Sequence, residues 1–215
     1  FVVGGLLCLP LAFIGFKALT ADGMIWTRLW QTRIPELLWN TTALAVGTAV
    51  GTLVLGISTA WLVTRYEFVG RRIWEWALVL PLALPTYVLA YVYSYVLGRG
   101  GPAERLWQIL AGANSYLPSP AGFEGAVLVM VLDTFPFVYL LTRGALLSYN
   151  ASYDEVAKAC GISRWGTFSR VTLPLIRPAI VAGLSLVILY VVSDFGAVSL
   201  LRYQTFTYAV YQQMT

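Results

Sequence analysis

The sequence predicts an all-α, polytopic transmembrane helical bundle, and three observations carry that prediction. Of its 215 residues, 59% are hydrophobic and only 11% charged, with a mean hydropathy of +0.73; a soluble domain carries about a quarter charged residues. Five apolar stretches recur at about the length that crosses a bilayer as a helix. None of them alternates strictly, as a lipid-facing barrel strand does. The absence of histidine removes His-ligated metal sites and Ser-His-Asp triads. Cys8 and Cys160 lie too far apart in sequence and setting to suggest a disulfide framework or a thiolate site. No catalytic residue, metal site or nucleic-acid contact is therefore predicted. The net charge of +4 is small and gathers in particular loops, as membrane orientation requires.

The predicted spans, in order, are 1–19, 41–63, 73–97, 125–141 and 179–198. Lys17 is the only charge in the first, and the second has none. Glu75 sits at one end of the third, Asp133 lies inside the fourth, and Asp194 stands towards the far end of the fifth. The loops 64–72 and 142–178 together hold eight Lys or Arg residues, against Arg28, Arg33, Arg99, Arg105 and Arg202 in the others. The positive-inside bias places those two loops in the cytoplasm, with the chain entering the membrane from that side. Tryptophans 26, 30, 39, 61, 74 and 76 fall near span ends, where interfacial aromatics belong. Between spans three and four, Pro102 to Leu110 predicts a short amphipathic helix.

Packing signals lie inside the spans. Ala43, Gly47 and Gly51 recur every four residues and form a face on which another helix approaches closely. Pro81 and Pro85 each remove a backbone donor and should kink or locally unwind the third span. A carboxylate inside a bilayer costs about 2.5–3.5 kcal/mol, so Asp133 and Asp194 face protein or water rather than lipid. Two roles stay open for them: satisfying backbone or interfacial groups, or lining a polar path.

The loop 149–178 is the most specific part of the chain. Ser152-Tyr153-Asp154-Glu155 has the form of a capping box, opening a short helix through Cys160. Gly161 is placed to end it in the left-handed conformation, with Ile162 as the apolar residue just beyond. A second short helix is predicted over 164–171, closed by Pro174, with Pro178 preceding the last span. Two capped helices make a stiff unit that a partner can grip and move, or an interfacial element lying on lipid.

Glu155-Val156-Ala157, then Gly161, nine residues, and Val171-Thr172-Leu173-Pro174 resemble the Glu-Ala-Ala loop of binding-protein-dependent ABC importer permeases. Val156 and Val171 are mild apolar departures from that pattern, and the spacing agrees at every step. Asn40-Thr41-Thr42 resembles the start of the permease core, and Ser193-Asp194-Phe195-Gly196-Ala197-Val198 with Thr205-Phe206-Thr207 and Tyr211 resembles the ferric-iron branch. Thiamine and phosphonate permeases have similar sequences.

The resemblance implies a type I ABC importer permease. Residues 1–39 would be a first helix and outer loop, and 40–215 the permease core without its last helix. Phe1 is not an initiator residue, so a fragment of a longer chain is expected, with a second permease half fused or separate. Two ATPase subunits would bind ATP and Mg, since this chain lacks a phosphate loop of the Gly-x4-Gly-Lys type. A periplasmic or surface binding protein would deliver the solute to a multi-pass protein of the bacterial inner membrane. Under this reading Ser152 and Glu155 cap the coupling helix, Ala157 allows close approach, and Gly161 makes the turn. Leu173 and Pro174 anchor the unit to the fifth span. Hard oxygen donors suit ferric ion, which makes Asp133, Asp194, Tyr87 and Tyr91 candidates for the path. An ion-coupled secondary transporter using Asp133 and Asp194 is the alternative, and it leaves the spaced loop unexplained.

Overall fold

The computed structural model describes residues 30–112, 121–150 and 152–212. The predicted first span lies outside them. The described helices are α1 (Ile34–Arg65), α2 (Arg71–Ala77), a 3-10 turn (Leu80–Ala83), α3 (Thr86–Leu97), α4 (Pro102–Ala111), α5 (Phe123–Leu147), α6 (Ser152–Ala159), α7 (Arg164–Thr167), a π-helical turn (Phe168–Thr172), α8 (Leu173–Ser193), α9 (Gly196–Leu200) and α10 (Phe206–Gln212). Among the described residues no strand occurs.

Helix α1 starts where Pro35 presets the first turn and Glu36 complements the amino-terminal dipole; Arg65 does the same for the last turn. Its 32 residues reach about 48 Å, longer than a hydrocarbon core. Ser58, Thr59 and Thr64 donate their hydroxyls to carbonyls four residues back, so these polar groups are satisfied inside the helix. Val46, Val50 and Val54 form an outward stripe, each more than half exposed, as a face turned to lipid or another subunit requires.

The opposite face of α1 packs on α5. A Cβ on Gly47 would lie 3.0 Å from Val127 Cγ2, and one on Gly51 would fall inside the Val131 side chain. Gly56 continues the same face and lies against Val138. Val138 is fully buried, and Gly183 of α8 reaches it from the other side, so α1, α5 and α8 converge there. Small residues let backbones approach where no hydrophobic drive separates helix from lipid.

Among the described residues three helical runs are long and apolar enough to cross a membrane: α1, α5 and the run Trp165–Ser193. The third predicted span is broken. Arg71–Ala83 and Thr86–Ala111 meet at 104°, and the pair makes a fourth span if both are counted together. Pro81 and Pro85 flank the break, and Leu84 between them is extended at φ −103° and ψ 136°. The missing amides that predicted a kink produce a full interruption.

The last span differs from its prediction in extent. Pro174 and Pro178 were expected to lie before it, yet Pro174 opens α8 and Pro178 sits inside it, so the helix covers 165–193. The physical reason is the π turn. Leu173 N–H donates to Phe168 O, five residues back, and the run passes Pro174 without ending. Asp194 then stands just past the helix as its carboxyl-terminal cap residue. Helix α4 forms as predicted, and Gly100 N–H donates to the buried Glu104 carboxylate at its start.

The polarity of the helices sorts the loops into two ends. At one end Tyr203 hydroxyl donates to Asn40 O (3.1 Å), Phe206 N–H to Thr41 Oγ1 (3.0 Å) and Gly122 N–H to Leu201 O (2.8 Å). The segments 40–42 and 205–207, far apart in sequence, meet there. At the other end Arg65 lies over the rings of Trp61 and Tyr149, and Trp61 meets Phe168 edge-on at 4.6 Å. Both arginine-rich loops are at this second end.

Candidate functional site

The capped segment begins at Asn150. Its side-chain Oδ1 accepts from Ser152 N–H at 3.0 Å, and its carbonyl accepts from Tyr153 N–H at 3.2 Å. This replaces the predicted capping box: Ser152 is the first helical residue, so its hydroxyl stands one residue too late to cap. Glu155 is exposed on α6, as is Ser152. Asn150 was missed because Ser-x-x-Glu is the stronger pattern on paper.

Helix α6 ends as its glycine predicts. Gly161 has φ +72°, Cys160 N–H donates to Val156 O, and Ile162 N–H reaches back to Ala157 O at 3.0 Å. That six-to-one bond is the Schellman closure, and it covers the 4%-exposed Ala157. Ser163 Oγ then accepts from Gly166 N–H at 3.1 Å and caps α7. Each helix of the segment is thus fixed at its start or end by a hydrogen bond, and α7 runs through the π turn into α8. Leu173 and Pro174 lie on that run, half-buried and exposed respectively. Tyr153, Val156 and Trp165 remain at least half exposed on the same segment. A groove of about 1070 Å³ opens beside it, lined by Leu53, Trp61, Arg65, Trp165, Phe168 and Leu173 among others.

A second feature lies in the core. Asp133 on α5 is 2% exposed, its Oδ2 is buried without a hydrogen-bond partner among the described residues, and it lies beside the Tyr190 hydroxyl of α8. That hydroxyl also meets Thr86 Oγ1 at 2.8 Å. Asp194 accepts from Ala197 N–H at 3.0 Å, opening α9, with Thr86 nearby. The two predicted acids are therefore brought to one polar cluster, around the Thr86–Tyr190 hydroxyl contact. Neither residue of that contact was found from sequence, because a threonine after a proline and a tyrosine in an apolar run carry no polar signature. Tyr87 and Tyr91 are 57% and 65% exposed, outside this cluster.

A third feature pins α2 to α5. Glu75 pairs with Arg143 at 3.0 Å and with Arg71 at 3.2 Å, while Tyr139 hydroxyl donates to Glu75 O at 3.3 Å. Glu75→Gln is expected to destabilise the protein by about 2 kcal/mol, because it weakens the half-buried partner of Arg143. Arg71→Ala removes only an i,i+4 pair and should cost about 0.5 kcal/mol. Thermal unfolding in detergent measures the difference, and equal shifts would assign no special role to the α5 contact.

Residues 52–214 match the family model described as a binding-protein-dependent transport system inner membrane component. The chain belongs to that family. This permease is 33% identical over 216 residues to the Fe(3+)-transport system permease protein FbpB 2 of Haemophilus influenzae, covering 99% of this chain and 38% of that one. It is 33% identical to the sulfate transport system permease protein CysW of Escherichia coli, over 90% of this chain and 65% of the relative. It is 32% identical to the molybdenum transport system permease protein ModB of Escherichia coli, over 78% and 69%. The permease thus spans less than two thirds of the first two relatives. Its fold is also that of the MetNI methionine ABC transporter solved in inward-facing conformations, with a TM-score of 0.61 at 16% identity, covering 90% of this chain and 82% of that one. Family and apolar helices together make the permease a multi-pass inner-membrane protein.

Proposed function

We propose that this permease forms part of the translocation path of an ATP-driven importer, gripped by ATPase subunits at the segment 149–174. The observation that carries the reading is the double fixation of α6, by Asn150 at its start and Gly161 at its end, on a segment continuous with α8. A stroke delivered to a loop without fixed ends would dissipate in loop motion; delivered here, it moves a membrane helix. Exposed Tyr153, Val156 and Trp165 supply apolar contact for a partner. Under this proposal the segment faces the cytoplasm, ATP and Mg stay with the partner, and a binding protein delivers the solute at the opposite end.

Ferric ion is the proposed cargo. Support comes from the likeness to FbpB 2 along 99% of the chain and from the acidic core cluster. Carboxylates and hydroxyls are hard donors that tolerate a hard cation in passage, whereas ionised carboxylates repel sulfate or molybdate. Oxyanion transport is the second reading, favoured by the likeness to CysW and ModB.

Proteoliposomes holding the full-length permease, its co-purifying ATPase and its binding protein test both parts. ATP-dependent uptake of radiolabelled iron(III) without uptake of sulfate, molybdate or thiamine is expected. Sulfate or molybdate uptake would overturn the cargo. Uptake driven by an ion gradient without ATP would overturn the importer reading.

A further inference from the structure

We infer that the Thr86–Tyr190 hydroxyl contact is where displacement of the segment 149–174 reaches the broken third span, which makes Thr86 and Tyr190 positioning residues of the transport cycle. The inference rests on the reading of that segment as the ATPase-docking unit. Its first support is continuity. The run Trp165–Ser193 holds 29 residues, about 43 Å of helix, and the π turn carries it past Pro174 without a break. A helix of that length moves as a body, so a push beside Trp165 arrives at Tyr190.

The second support is where Tyr190 ends. Its hydroxyl meets Thr86 Oγ1 at 2.8 Å, between Asp133 and Asp194. Thr86 is 8% exposed and is the first residue of α3, directly after the break. Pro85 is extended, at φ −63° and ψ 139°, and no side chain caps the start of α3. Helical continuity with α2 is therefore absent, and α3 is placed by its packing on α9 and α5 together with what Thr86 touches at its start. Gly196, just beyond α8, adds a contact against Tyr87 Cβ from the same side.

The third support is that the other arm of the break is held elsewhere. Glu75 on α2 is paired with Arg143 on α5, not with α8. A shift of α8 against α5 thus carries Thr86 while α2 and the 3-10 turn packed on α5 stay behind, and the difference falls on Leu84 and Pro85. The turn Leu80–Ala83 is closed by Leu82 N–H to Val79 O and Leu84 N–H to Pro81 O, so the extended pair Leu84 and Pro85 is where the two arms can hinge. Coupling of this kind is demonstrated by an element whose state both sites bias, so the test reads both ends at once.

The full-length permease is purified with its ATPase subunits in nanodiscs, with every cysteine except Cys160 replaced by serine and Leu84→Cys introduced. Exposed Cys160 reports on the docking segment, and Cys at position 84, where Leu84 is 46% exposed, reports on the break. Maleimide labelling at each site is measured with and without ATP plus orthovanadate. Both rates are expected to change on trapping. In Tyr190→Phe and in Thr86→Val the Cys160 response should persist, while the response at position 84 falls about fivefold, the scale of one hydrogen bond. Thr86→Ser, which keeps the hydroxyl, should restore it. A response at position 84 that survives both variants, or is absent before either is made, overturns the handover. So does a Thr86→Ser protein that behaves like Thr86→Val, since packing and not the hydroxyl would then matter. A silent Cys160 in the unsubstituted complex overturns the docking reading and this inference with it. Should one variant fail to assemble, the other gives the same decision.

Discussion

Gly161→Leu is expected to lower ATP-dependent transport at least about tenfold while leaving membrane insertion intact, and Gly161→Asn is expected to retain most of it. The glycine sits at φ +72°, and no atom lies within 4 Å of where its Cβ would be. Space is therefore not what excludes a side chain there. A residue with a Cβ in this region costs about 1–2 kcal/mol, whereas asparagine visits it readily. Leucine would favour a right-handed backbone, extend α6 and break the Ile162 to Ala157 closure. The segment would lose the turn that orients α6 against α7. Uptake by proteoliposomes, with membrane-fraction yield as the control, measures the effect. Equal transport by the Leu and Asn variants would show that the backbone angle is irrelevant.

Gly183→Leu is expected to be the most damaging change in the bundle, costing about 3 kcal/mol or more. Its Cβ would lie 2.9 Å from Val138 Cα and 3.3 Å from Phe137 O, both backbone atoms of α5. Backbone in the centre of a helix does not yield as a side-chain tip does. Gly56→Leu should be comparably severe, since its Cβ would meet Val138 Cβ at 2.8 Å and Tyr139 N at 3.1 Å. Gly47→Ala, by contrast, meets Val127 Cγ2 at 3.0 Å, a methyl that rotates away, and should cost about 1 kcal/mol or less. Thermal unfolding and yield in the membrane fraction rank the three. A Gly183→Leu protein as stable as Gly47→Ala would contradict the three-helix convergence at Val138.

Much of this architecture was legible because hydropathy and backbone chemistry are local. Apolar length located α1 and α5, proline located the break, and Gly161 located the end of α6, each from its own residues. What failed depended on partners distant in sequence or on small shifts of register. Ser152 matched a capping pattern, but Asn150, two residues earlier, accepts from the Ser152 and Tyr153 amides instead. Pro174 read as a stop because the π turn that accommodates it leaves no signature in the sequence. The acids at 133 and 194 were identified singly, yet their meeting around Thr86 and Tyr190 requires α3, α5 and α8 to be in place. The small-residue face was visible at Gly47 and Gly51, while Gly56 falls five residues on and so escaped the four-residue spacing.

The central claim is that a helix fixed by Asn150 and Gly161 is the surface on which an ATPase acts. A photoreactive benzophenone residue in place of Val156, 62% exposed on that helix, tests it most directly in the full-length permease within native membranes. Irradiation should yield a covalent product with an ATP-binding subunit, at a rate that changes when ATP and orthovanadate are added. A product formed only with lipid or with a binding protein, or labelling of position 156 by a membrane-impermeant reagent added outside sealed cells, would contradict it.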